Sequence, residues 1–159
     1  MQESLSGSEQ RAARPTAPDP CPLTPAFSRY GYIVIGSEHQ NPAHITCHDW
    51  HSGHVPWNQD AILKAPWVNG HWMIDVALQG RYEFTLSQQP VQVAFPIQAT
   101  LARLKVSDAE TSAKVPSGAT KVTLTLDLKP GPAKLETWLT DEKSGKTRGA
   151  FFITVRRLE

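Results

Sequence analysis

The window HITCHDWHSGHVPWNQ, from His44 to Gln59, brings four histidines, a cysteine, an aspartate and two tryptophans into one short stretch. Three chemistries use such residues. The first is metal binding, since zinc takes imidazole nitrogen and cysteine sulfur in a tetrahedron. His48, His51 and His54 are the candidate ligands, with His44 and Cys47 just before them. Their spacing argues against it. An odd offset sends neighbouring side chains to opposite faces of a strand, and Gly53 and Pro56 oppose a long helix. No metal and no other cofactor is expected.

The second chemistry is hydrolysis. Asp49 beside His48 and His51 supplies the carboxylate and imidazole of a triad. The nucleophile would be Ser52, Cys47 or Thr46, and none follows the strand–turn–helix elbow that exposes one. No catalytic residue is assigned. The third is sugar binding, in which aromatic faces stack on the apolar sides of sugar rings while amides and imidazoles bond the hydroxyls. Trp50, Trp57, Trp67 and Trp72 are interleaved with Asn58, Gln59, Asp60 and Asn69. Tryptophan in a small sandwich also serves as core, and Trp72 shares a strand face with Ile74 and Val76. Trp138 lies with Glu136 and Thr140 on the face opposite Leu135, Thr137 and Leu139. The candidate ligand contacts are Trp50, Trp57, Asn58, Gln59, Asn69 and Trp138. Without a ligand, HITCHDW reads as a strand and HSGHVPWNQ as an ordered loop, stiffened by Pro56, anchored by Trp57 and tied by Asn58 and Asp60 to its own backbone.

The elements that must position these residues are short alternating runs. GYIVIG is a compact apolar strand. In HWMIDVALQGRYEFTL, Trp72, Ile74 and Val76 form one face and Tyr82, Phe84 and Leu86 another; the Gln79-Gly80 turn between them predicts a β-hairpin. KVTLTLDL places Val122, Leu124, Leu126 and Leu128 together, KPGP forces a turn, and AKLETWLT follows. Ser144-Gly145 turns the chain again before GAFFITVRRL. ATLARLKV is read as a strand rather than a helix, because β-branched and turn-rich sequence surrounds it. About eight such strands predict an all-β, antiparallel β-sandwich, jelly-roll-like in topology.

A chain of 159 residues suffices for one such domain. Residues 1–29, which include ARPTAPDPCPLTPAF, are expected to be a disordered proline-rich tail or linker, and residues 30–159 the sandwich. Lys plus Arg (16) nearly balances Asp plus Glu (15), so no broad field points to nucleic acid or an anionic membrane. No apolar run is long enough to span a bilayer. The N-terminus shows no readable secretion signal. Cys21 and Cys47 are too few for a disulfide framework, and their pairing is left open.

IVIGSEHQNPAHITCHDWHSGHVPWNQ, NGHWMIDVALQGRYEFTL and LETWLTDEKSGKTRGAFFITVRRL resemble the C-terminal accessory region of bacterial arylsulfatases in the alkaline-phosphatase-like superfamily. The densest marks are His48-Asp49-Trp50-His51, Val55-Pro56-Trp57-Asn58-Gln59 and Asn69-Gly70-x-Trp72. A weaker similarity, carried by Trp72 to Leu86 and by LDLKPGPAKLETWL, is to galactose-binding-like carbohydrate-binding modules. The first resemblance implies a sulfatase catalytic domain as partner and a family that is commonly exported. The catalytic C/S-x-P-S-R motif is missing, since Cys21-Pro22-Leu23-Thr24-Pro25 has neither its order nor its arginine. The expected protein is thus a non-catalytic accessory domain that docks on a sulfatase or binds a neutral or sulfated glycan. The alternatives are a fragment of a sulfuric ester hydrolase and a stand-alone carbohydrate-binding module.

Overall fold

The computed structural model describes residues 32–51, 54–90, 92–93 and 95–158. The expected tail, Cys21 and Ser52 lie outside the described residues. Ten strands are formed within them: β1 (Ile33–Ile35), β2 (Ala43–Thr46), β3 (His71–Val76), β4 (Gly80–Ser87), β5 (Leu101–Val106), β6 (Ala109–Lys114), β7 (Val122–Leu128), β8 (Gly131–Asp141), β9 (Lys146–Arg148) and β10 (Phe152–Leu158). One sheet runs β1-β3-β8-β5-β6, with β9 added to β8; the other runs β2-β10-β4-β7. Pairing is antiparallel throughout except for β1 on β3.

Each strand alternates because its apolar positions must meet one core. Trp72, Ile74, Leu104, Leu135 and Leu139 enter it from the first sheet; Ile45, Phe84, Leu86, Leu124 and Val155 enter from the second. This is the two-layer sandwich expected from the alternation. Trp72 also ties the layers, its Nε1 donating to the Thr46 carbonyl at 2.8 Å. Apart from the β5–β6 and β8–β9 hairpins, every connection between named strands carries the chain from one sheet to the other. That switching makes the topology jelly-roll-like.

The same switching overturns the hairpin expected at Gln79-Gly80. β3 and β4 belong to different sheets, so Trp72 and Phe84 enter the core from opposite layers instead of pairing along a ladder. β3 pairs with β8 and β4 with β10 and β7. The corner is held by Ala77 N–H donating to the Ile35 carbonyl at 2.9 Å and by the Tyr82 hydroxyl donating to the Leu78 carbonyl at 2.6 Å. KPGP likewise takes the chain from β7 across to β8. A period of two specifies a buried face; it does not specify the neighbour that completes the hydrogen bonds.

HITCHDW also departs from expectation. The strand stops at Thr46, and Cys47–Asp49 form a 3₁₀ turn. The turn lets Cys47 and Trp50 drop into the core. The loop beyond ends in a short helix, α1 (Gln59–Leu63), which the hydrophobic pattern did not predict. Asn58 bonds the backbone as expected, and does so as its N-cap: Oδ1 accepts from Ala61 N–H at 2.8 Å, satisfying a donor that the first turn leaves unpaired. Ile62 on α1 is buried and seats the helix.

Candidate functional site

The outward positions of the β2-β10-β4-β7 sheet form rows across it. Thr46 lies opposite Phe152, which lies opposite Ser87; His44 lies opposite Thr154, then Thr85, then Thr123. His44 Nδ1 and Thr154 Oγ1 share a 3.1 Å hydrogen bond, and Thr85 and Thr123 hydroxyls are 3.4 Å apart. Thus the polar half of the alternation becomes a strip of hydroxyls and an imidazole on one surface.

Two adjoining cavities lie over this strip. One, of about 420 Å³, is lined by His44, Thr85, Gln92, Lys121 and Thr154 among others. The second, of about 330 Å³, is lined by His48, Gln59, Leu63, Gln89 and Val93 among others. They share Thr46, Pro90 and Phe152, so together they make one groove with an apolar saddle. α1 forms a wall of the second cavity and is tied down by Gln89, whose Nε2 donates to the Ile62 carbonyl at 3.3 Å. Beside this cavity, Trp57 stacks on His48 with ring centroids 6.3 Å apart and planes 21° apart.

The five tryptophans fall into distinct settings. Trp50 is core: it meets Trp72 and Phe151 edge-on at 5.6 and 5.8 Å, and offers no sugar platform. Trp72 is core as expected. Trp67 lies over the buried Arg148, whose guanidinium carbon is 3.6 Å from the ring centroid. Trp138 is on the outward face of the first sheet, as the alternation predicts, but Arg103 covers its ring at 4.5 Å. Arg103 is held there by two hydrogen bonds to Glu110, of 2.6 and 3.0 Å. Trp57 is 73 % exposed, so it does not anchor its loop; its indole face is open to solvent.

The other candidates divide similarly. Gln59 lines the groove, whereas the carboxamide oxygen of Asn58 is engaged in capping α1. Asn69 is a structural clamp: its Nδ2 donates to the Thr137 carbonyl at 2.9 Å and its Oδ1 accepts from Gly70 N–H at 2.8 Å. Trp50 and Trp138 therefore do not join Trp57 on one rim. His48 belongs to the groove, while His51 stacks on His71 at 5.8 Å, and His54 is exposed. Burial, and after it the charge of Lys134, holds His71 below the ordinary imidazole range. No cluster of three or more histidine, cysteine or acidic side chains suited to a metal occurs among the described residues. Burial pushes the Cys47 thiol up to about 11, so at neutral pH it is a protonated core group and neither a nucleophile nor a thiolate ligand.

Much of the groove comes from residues that were not singled out as ligand contacts: Phe152, Thr46, Thr85, Thr154, Pro90 and Lys121. For the threonines the signal was the polar half of each alternating run, which marks an outward face but not which outward face is concave; Phe152 and Pro90 carried no such signal.

No family model matches this chain. No curated protein matches it either, so the arylsulfatase resemblance is carried by the quoted residues alone. Similar solved structures include a ruminal GH26 endo-beta-1,4-mannanase, with 16 % identity, TM-score 0.49 and 78 % of this chain covered. This chain spans 27 % of that enzyme's length. The CBM35 of Abf62 from Cellvibrio japonicus has 16 % identity and a TM-score of 0.39, covering 57 % of this chain and 70 % of that one. A Xyl-CBM35, solved in complex with a glucuronic acid containing disaccharide, has 15 % identity and a TM-score of 0.40, covering 78 % and 96 %. The sandwich described here rests on its own strand pairing.

Proposed function

We propose that this chain is a non-catalytic carbohydrate-binding β-sandwich that takes a glycan along the groove of its four-stranded sheet. One observation carries the proposal: an apolar floor and a row of hydroxyls line one groove, and an exposed indole stacks on His48 of its lining. A sugar ring has an apolar side that packs on Phe152 and Pro90. Its rim of hydroxyls matches Thr46, Thr85 and Thr154, with the amides of Gln59 and Gln92 beside them. Trp57, already stacked on His48, offers its open face to a further ring. Two of the similar structures are carbohydrate-binding modules; the groove alone carries the proposal.

Calorimetric titration with oligosaccharides of about four residues tests it. Trp57→Ala is expected to weaken binding roughly tenfold, about 1.4 kcal/mol. Its melting temperature should stay near that of the wild type, because the ring is 73 % exposed. If no oligosaccharide binds the wild-type chain, the proposal fails.

Leu63 and Val93, 56 % and 48 % exposed, line the same groove and favour a second reading as a protein contact. The arylsulfatase resemblance names the partner as an alkaline-phosphatase-like catalytic domain. Co-sedimentation with such a domain, broken by Leu63→Glu, would favour docking over glycan binding.

A further inference from the structure

The charge of the groove is one-sided. Among the described residues, neither cavity has an aspartate or glutamate in its lining. The lining does include Lys121, His44 and His48. Lys121 is exposed just before β7 and has no ion-pair partner among the described residues. On the same sheet face, Glu83 stands one row farther along, cross-strand from Arg156. Asp49 and Asp60 sit on the flanking 3₁₀ turn and on α1, outside both linings.

This inventory selects among glycans. A neutral sugar presents hydroxyls that donate as well as accept, and a carboxylate is the strongest acceptor a protein can offer them. Here the acceptors are threonine hydroxyls and glutamine carbonyls, while the strongest polar group is a cationic donor. Sulfate and carboxylate groups only accept, and they form short charge-assisted bonds with an ammonium. A groove of one sign with apolar walls also concentrates its field. Resting on the glycan reading above, we infer that the ligand carries an anionic substituent, a sulfate or a carboxylate, held at the Lys121–His44 end of the groove. Trp57 and His48 then take an adjacent ring at the opposite end.

The test is titration of the full chain with three tetrasaccharides of one backbone: sulfated, uronate-bearing and unsubstituted. At low salt at least one anionic form is expected to bind about tenfold more tightly than the neutral one, and the tighter of the two identifies the group. The preference should shrink at about 0.5 M salt. It should collapse in Lys121→Met and persist in Lys143→Met, which removes the same charge from the exposed β8–β9 turn. Equal binding of neutral and anionic forms overturns the inference and leaves the glycan reading standing. A preference that survives Lys121→Met overturns it as well, by placing the charge recognition elsewhere. Absence of binding by all three removes both.

Discussion

Arg148 shows what burial does to a single side chain. It is 1 % exposed, and its Nε and Nη1 have no hydrogen-bond partner among the described residues. Stacking under Trp67 covers the face of the guanidinium but leaves its in-plane donors unmet. An arginine stays charged, and the desolvation of a buried, incompletely bonded ion costs several kcal/mol. Arg148→Met, similar in volume and apolar, is therefore expected to leave the unfolding free energy unchanged or raise it by about 1 kcal/mol. Arg148→Ala should lower it by leaving a cavity. Urea denaturation of the three proteins decides the matter, and a large loss in the methionine variant would show that the charge is needed. Nothing in GKTRGAF distinguishes this arginine from a surface one. Its burial depends on Trp67, far away in sequence.

At the scale of elements, the segment from β9 to β10 and the loop before β3 are built around one small residue. Gly149 N–H donates to the Val68 carbonyl at 2.9 Å. A Cβ at Gly149 would lie 2.3 Å from Asn69 Oδ1 and 2.7 Å from Trp50 Cζ2. That packing gives Trp50, Asn69 and Gly149 a shared structural role, and explains part of the marking pattern HDWH…NGxW without any ligand. Gly149→Ala is expected to cost about 1–3 kcal/mol, since neither the clamped amide nor the packed indole can withdraw cheaply. Chemical denaturation measures it; a cost below about 0.5 kcal/mol would mean that the loop repacks easily. The strands themselves were largely legible: ATLARLKV contains β5, KVTLTLDL contains β7, and AKLETWLT lies within β8. α1 was not, because five residues are too few to show a helical period. Its signal was Asn58 as a cap.

For the whole molecule, the decisive fact is which strands share a sheet. The pairing predicts close backbone proton contacts between Phe84 and Val155 and between Ile74 and Ala133. It predicts none between the backbones of β3 and β4, which face each other across a core about 10 Å thick. Nuclear Overhauser measurements on labelled protein test this directly. Cross-strand contacts between β3 and β4 would restore the hairpin and dismantle the sandwich. The groove depends on the same topology. His44, Thr154 and Thr85 come from β2, β10 and β4, which are neighbours in the sheet but far apart along the chain.

Sequence by itself determined the class of this protein and the buried side of its principal strands, because water enforces a period of two wherever one face of a strand is covered. Trp72, Tyr82, Phe84, Leu86 and Leu124 were legible as core for that reason. Tertiary structure decided the neighbours, and with them the site. Trp50 and Trp57 are the same residue type in the same short window, yet one is 6 % exposed and the other 73 %. The space that takes Trp50 is left by Gly149, about a hundred positions later. Whether an indole can meet a ligand depends on what fills the volume around it, and the residues that fill it arrive from distant parts of the chain.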